Sequence, residues 1–215
     1  MDRKPVFTDN SNGAANSASF NSPSGITTDG TNLYVADTGN NAIRMIAIDT
    51  GQVATLSGSG TAGFANGAAN SASFNAAKGI TTDGINLYVT DTGNNAIRQI
   101  VIASGEVTSL AGSWTAGFTN GAGISASFNI PSGITITPDG TNLFVADSGN
   151  NAIRQVVIAS AEVTTLAGSG TPGFTNGSGI SASFIFPNSI TISPAGTNLY
   201  VADTGNNAIR NIQLQ

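Results

Sequence analysis

One ten-residue phrase is written four times in this chain: VADTGNNAIR at 35–44, VTDTGNNAIR at 89–98, VADSGNNAIR at 145–154 and VADTGNNAIR at 201–210. Its aspartates, Asp37, Asp91, Asp147 and Asp203, lie 54, 56 and 56 residues apart. A fixed period of this length marks a solenoid or a propeller rather than one irregular core. The same groups recur four times over, whereas catalysis normally needs a few unlike groups converging on one point.

Outward from the first copy, residues 25–29 (GITTD) read as strand A, 33–37 (LYVAD) as B, 42–48 (AIRMIAI) as C and 53–57 (VATLS) as D. The intervening runs Asp29-Gly30-Thr31-Asn32, Thr38-Gly39-Asn40-Asn41 and Asp49-Thr50-Gly51-Gln52 are turn chemistry. No 3.6-residue apolar pattern is present, which excludes helical solenoids. Four short strands joined by tight turns make one propeller blade. The expected fold is therefore an all-β propeller of four blades, each a four-stranded antiparallel meander of about 54–56 residues. We read residues 1–215 as a single domain, with repeats at about 12–65, 66–119, 120–175 and 176–215.

Strand D occurs only three times, at 53–57, 107–111 and 163–167, and the fourth repeat ends after strand C. A closed ring would take its last outer strand from residues 3–8 (RKPVFT), with Pro5 tolerable on an outer edge. The rival is an open arc that closes against a second copy or against the rest of a longer parent protein.

Within the phrase, the Asp37 carboxylate is expected to accept backbone N–H groups of the turn and Gly39 to take a left-handed conformation, which Asn also tolerates. A four-residue loop sets Asp37 opposite Ala42 and Val35 opposite Arg44, so Asp37 and Arg44 become diagonal neighbours on one face. One structural pair per blade follows: Asp37–Arg44, Asp91–Arg98, Asp147–Arg154 and Asp203–Arg210. The long Gly- and Asn-rich segment after strand D carries Phe64, Phe118 and Phe174, and Phe20, Phe74, Phe128 and Phe184, in register. These are expected to plug gaps between blades.

The phrase LYVADTGNNAIR, preceded by FNSPSGITTDGTN and followed by TGQVATLSGSGTAGF, resembles the NHL repeat of β-propellers, in particular bacterial extracellular forms with a long glycine-rich loop. The resemblance covers nearly all of residues 12–215. It implies a propeller, generally six-bladed, whose relatives mostly bind proteins and in some branches RNA, while more distant relatives are lyases or lactonases. Enzymatic relatives use His, Glu and Asp around an axial metal; here there is no His, and the two glutamates, Glu106 and Glu162, fall beside strand D at the expected outer rim. Where bacterial relatives often carry Asp-Gly, this chain has Asn66-Gly67, Asn120-Gly121 and Asn176-Gly177, so a carboxylate for calcium is missing.

With seven basic residues and a net charge of −5, the chain lacks the basic surface that nucleic acid or an anionic membrane requires. It contains no cysteine, so disulfides and thiolate metal sites are excluded. No window approaches the ~20 apolar residues of a membrane span, and MDRKPVFTDN lacks the apolar stretch of a secretory signal. The polar, charge-poor composition suits an extracellular or cell-envelope protein.

These readings favour a non-enzymatic binding or scaffolding propeller for a protein or glycan ligand, needing no cofactor and no metal. The alternative is a structural assembly element that self-associates through its unpaired blade edge; a lyase- or lactonase-like enzyme is the remote third, disfavoured by the absence of His. Candidate binding residues stand where the symmetry breaks. Trp114 replaces Gly60 and Gly170, Lys78 replaces Ser24, Ser132 and Asn188, and Phe186 replaces Ser22, Ala76 and Ile130. The near-identity of the repeats points to recent amplification or to engineering.

Overall fold

The structure, a computed structural model, describes residues 11–14 and 17–214; residues 3–8, the expected closing strand, lie outside them. The described residues form four antiparallel sheets. Blade 1 holds β1 (Gly13–Ala14), β2 (Pro23–Thr28), β3 (Asn32–Asp37), β4 (Ala42–Ala47) and β5 (Gln52–Ser57); blade 2 holds β6 (Ala77–Thr82), β7 (Asn86–Asp91), β8 (Ala96–Val101) and β9 (Val107–Ala111). Blade 3 holds β10 (Gly121–Ala122), β11 (Pro131–Ile136), β12 (Asn142–Asp147), β13 (Ala152–Val157) and β14 (Glu162–Ala167), and blade 4 holds β15 (Pro187–Ile192), β16 (Asn198–Asp203) and β17 (Ala208–Gln213).

Each blade meanders from an inner to an outer strand, as the turn chemistry predicts, but the sheets are not uniformly four-stranded. The glycine-rich segment read as loop returns to the outer edge. There Gly13 pairs with Val53 and Gly121 with Val163, while blade 2 keeps a single Gly67–Val107 bridge. Gly13, Gly67 and Gly121 have φ of +143°, +127° and +144°, a backbone that favours glycine and lets the chain turn along the edge. In blade 4 no fourth strand covers β17 among the described residues.

The β3–β4 register sets Asp37 opposite Ala42 and Val35 opposite Arg44, and the other three blades repeat it. The connecting turn is one turn of 3-10 helix, Thr38–Asn40, closed by Asn41 at φ 49°. The left-handed residue is thus Asn41, not Gly39 as expected. Gly39 is glycine for a different reason: a Cβ there would come within 3 Å of the Asn21 side chain.

Neighbouring blades pack face to face. Tyr34, Ala36 and Ile43 of blade 1 meet Ile80, Leu87, Val89 and Ile100 of blade 2 in one buried cluster, and equivalent clusters join blade 2 to 3 and blade 3 to 4. Full burial of each such large side chain stabilises by roughly 1.5–3 kcal/mol. The inner strands follow in series, β2 on β6, β6 on β11 and β11 on β15. A Cβ added at Gly25, Gly79 or Gly133 would come within 3 Å of the next inner strand's backbone, so glycine permits the close approach at the axis. At the two ends of the series Ile26 of blade 1 and Ile209 of blade 4 are exposed.

Candidate functional site

Two sets of residues recur around the propeller, one buried within each blade and one facing the axis. The buried set is built on the ten-residue phrase. In blade 2, Asp91 Oδ1 accepts the Asn75 backbone N–H at 2.8 Å, and Oδ2 accepts Asn94 Nδ2 at 2.8 Å and Arg98 Nη1 at 2.7 Å. Arg98 also donates to the carbonyls of Ser73 and Ala65 and to Asn66 Oδ1. The guanidinium carbon lies 4.5 Å from the Phe64 ring centre and 5.3 Å from that of Phe74. The repeated phenylalanines therefore cover the arginines, and Phe74, Phe128 and Phe184 also enter the inter-blade cores. Weakly hydrated guanidinium tolerates this position where an ammonium would not.

Asp37–Arg44, Asp147–Arg154 and Asp203–Arg210 repeat the pair at 3.0, 2.9 and 2.8 Å. Burial pushes the Asp91 and Asp147 carboxyls up, Asp147 to about 6, and pushes the Arg98 and Arg154 guanidinium groups down. Desolvation therefore outweighs the mutual attraction of the partners, the balance in which a buried pair fixes geometry more than it adds stability. The Nε atoms of Arg44, Arg98 and Arg154 find no hydrogen-bond partner among the described residues, which adds to that cost. Each pair ties the hairpin to a segment 25 to 35 residues before the arginine; the first three arginines are fully enclosed, whereas Arg210 borders a cavity of about 780 Å³ at the face of blade 4.

Asn66, Asn120 and Asn176, in the position examined for calcium, accept hydrogen bonds from arginine instead. Among the described residues no group of three or more Asp or Glu is placed to hold a metal ion. Glu106 lies beside β9, whereas Glu162 begins β14.

The axial set is Ser24, Lys78, Ser132 and Asn188, equivalent positions on β2, β6, β11 and β15. With Gly25, Gly79, Gly133 and Ser189 they line a cleft of about 470 Å³. Lys78 is the one charged residue in that lining; the other axial side chains are neutral hydrogen-bonding groups. A register irregularity between Ala77 and Ile80 on β6, and between Pro131 and Ile134 on β11, interrupts the alternation there, so that Ile80 and Ile134 pack into the inter-blade cores while also bordering the cleft that Lys78 and Ser132 line.

The remaining symmetry-breaking residues lie elsewhere. Trp114 is 50% exposed, adopts φ 69° where Gly60 and Gly170 have 81° and 84°, and packs on Phe64 at 4.7 Å between ring centres. Phe186 is 46% exposed at φ 51°, and its N–H donates to Asn151 Oδ1 across the blade junction. The structure thus does not bring Trp114, Lys78 and Phe186 into one site. Sequence reasoning missed Thr38 and Asn41. The Thr38 hydroxyl donates to the Ala77 carbonyl and Asn41 Oδ1 accepts the Ala76 N–H, both in the next blade. Their signal was present in the repeated phrase, where turn formation alone does not require Thr or Ser at that first position.

Four blades around a common axis, inner strand to outer, define a β-propeller, and the buried Asp–Arg pair in each hairpin is the signature of its repeat. The repeat is similar to the NHL type, and the relatives below support an NHL-repeat propeller. No protein-family model matches it. It is 34% identical over 137 residues to human NHL repeat-containing protein 2, covering 60% of this chain and 19% of the relative. It is 27% identical over 189 residues to the chloroplastic Protein SUPPRESSOR OF QUENCHING 1 of Arabidopsis thaliana, covering 85% and 18%. The chain spans about a fifth of the length of these curated relatives. Among solved structures, an auxiliary nutrient binding protein from Bacteroides thetaiotaomicron superposes with a TM-score of 0.68 at 18% identity, over 87% of this chain and 46% of that one. A virginiamycin B lyase from Staphylococcus aureus superposes with a TM-score of 0.58 at 18% identity, over 97% and 55%. At these identities the two structures show the propeller fold, which a nutrient binding protein and an enzyme share.

Proposed function

We propose that the chain is a non-enzymatic binding propeller, outside the cytoplasm, whose axial cleft takes a hydroxyl-rich ligand bearing a carboxylate, such as an acidic glycan. The observation that carries this reading is the placement of Lys78. A lone cation among Ser24, Ser132 and Asn188 offers one charge-assisted contact surrounded by neutral donors and acceptors. A few converging polar groups in a concave site are what orient a small ligand. The nutrient-binding neighbour supports binding as the class of function. Against catalysis stands the chain's own chemistry. The lyase that superposes on it was crystallised as a catalytically inactive variant with one histidine replaced by alanine, and this chain contains no histidine.

The test is calorimetric titration with uronate-containing oligosaccharides and with their neutral counterparts. Binding of the acidic set alone, weakened at least about tenfold by Lys78→Ser, is the expected result. Equal binding by the variant, or no binding of the acidic set, would overturn the reading. A protein partner at the outer loops is the second reading, favoured by the half-exposed Trp114 on Phe64. Loss of a captured partner on Trp114→Gly, with Lys78→Ser unaffected, would establish it in place of the first.

A further inference from the structure

The described residues form three complete blade junctions, and the faces of blades 1 and 4 carry the equivalents of the two sides of such a junction. In the complete junctions Tyr34, Tyr88 and Phe144 are buried on one side, as are Ile43, Ile97 and Ile153. Their equivalents on blade 4, Tyr200 and Ile209, are 42% and 73% exposed. On the other side Ile80, Ile134 and Ile190 are buried, while their equivalent on blade 1, Ile26, is 61% exposed.

The polar part of the junction is also divided. Thr38, Thr92 and Ser148 each donate a hydroxyl to a carbonyl of the following blade, and Asn41, Asn95 and Asn151 each accept one of its backbone N–H groups. On blade 4 the Thr204 hydroxyl makes only a 3.5 Å contact with its own Ala202 carbonyl, and Asn207 Oδ1 has no partner among the described residues. The matching acceptor and donor, the Pro23 carbonyl and the Ser22 N–H, belong to exposed residues of blade 1.

We propose that the exposed face of blade 4 docks the exposed face of blade 1 of a second copy of this chain, head to tail, rebuilding the internal junction between molecules. Complementarity is apolar and directional at once. The two faces are unlike, so neither matches itself, and the contact is heterologous: it closes into a ring if the rotation returns and otherwise extends. An exposed apolar face of this kind marks an interaction surface, and the three internal junctions specify what covers it. One residue departs from the template. Where Gly25, Gly79 and Gly133 admit the next inner strand, blade 4 has Ser189, whose Cβ holds an incoming strand away from the axis. The intermolecular junction is accordingly wider at the axis and weaker than the internal ones.

The experiment is absolute mass by light scattering, from micromolar to millimolar chain, for the wild type, Ile26→Arg, Ile209→Arg and an equimolar mixture of the two. Both substitutions are at exposed sites, so circular dichroism and urea midpoints should match the wild type. The wild type should rise with concentration from 21.4 kDa to a multiple of it. Each variant alone should stay at the monomer mass, because each has lost one half of the contact. The mixture should stop at a 1:1 dimer, because it retains one intact pair of faces. Ser189→Gly should lower the midpoint concentration about tenfold. A wild type that remains at 21.4 kDa at every concentration would overturn the proposal and leave the two faces to other blades. Wild-type-like association of either single variant would overturn it too, because that requires a like-with-like contact.

Discussion

Replacing Arg98 with methionine tests whether the repeated Asp–Arg pair acts as a geometric lock. The substitution keeps an unbranched chain between Phe64 and Phe74 but removes every hydrogen bond the guanidinium makes, including the 2.7 Å bond to Asp91. Asp91 is fully buried and keeps only the Asn75 N–H and Asn94 Nδ2 as donors. Removing one partner of a buried pair typically costs about 3–5 kcal/mol, because the other charge is left uncompensated.

The cost should depend on pH in a definite direction. Burial already pushes the Asp91 carboxyl above its ordinary value in the wild type, and losing the cation pushes it further. A carboxyl whose folded-state value is raised favours folding most below the unfolded value near 4, and that contribution disappears as pH rises through the folded value. Urea unfolding should therefore show the full loss at neutral pH and a smaller one near pH 4 to 5. The double variant Asp91→Asn with Arg98→Met should recover a large part of it. Arg210→Met, in the blade at the open end, should cost less because Arg210 retains some solvent contact. A loss under about 1 kcal/mol at neutral pH, or one that does not change with pH, would refute the account of an uncompensated buried charge.

Gly79→Ala should destabilise by about 1–3 kcal/mol in urea, since the added methyl meets the β11 backbone, and an unchanged midpoint would mean that the inner strands tolerate separation. Trp114→Gly should leave stability within about 1 kcal/mol, because the lost contact with Phe64 is offset by relief of a left-handed backbone; a larger loss would make Trp114 a core residue. Burial, with the hydrogen bond to Asp29, pushes the Tyr34 phenol up to about 12, so its contribution should be complete below pH ~10 and disappear between ~10 and ~12. Tyrosinate absorbance in that window should rise together with unfolding, and ionisation well before unfolding would contradict the assignment. The backbone N–H of Asn32, followed by the Tyr34 hydroxyl, holds Asp29 down to about 2, giving the opposite sign. Its contribution is present above pH ~4 and lost as pH falls toward 2, so Asp29→Asn should flatten the acid limb of the stability profile.

The parts of the fold legible in the sequence were those set by local rules applied identically in each repeat. A four-residue loop between β3 and β4 determines the partner of every residue in the hairpin, so the opposition of Val35 and Arg44 follows from counting. What could not be read depended on chain segments brought in from a distance. The two-residue strand Gly13–Ala14 pairs with Gln52 and Val53, some 40 residues on, with no apolar periodicity to announce it. The phenylalanines read as inter-blade plugs face guanidinium groups supplied by a hairpin further along the chain. Propensity alone allows the left-handed turn conformation at Gly39 or at an Asn, and the structure places it at Asn41. Gly39 is required instead by the side chain of Asn21, so steric crowding from outside the turn outweighed the local preference.

Near-identical repeats constrain the interior of an array far more than its ends. Every interior blade sees the same neighbours, so one repeat's sequence accounts for the junction on each side, whereas the terminal blades present the same side chains to solvent. Ile209 and Ile153 are the same residue in the same phrase, yet one is 73% exposed and the other fully buried. Selection or amplification acting on the repeat alone cannot produce that difference; it comes from position. Information about the ends therefore resides in departures from the repeat, and Ser189, in place of an axial glycine, is the departure that bears on the junction itself. A side chain there disfavours the tight approach used three times inside the chain while leaving Thr204, Asn207 and the apolar face in place. If blade 4 docks on blade 1 of a second copy, as proposed, that combination makes the intermolecular junction weaker than the internal ones. It is also why a change as small as Ser189→Gly has a definite expected sign.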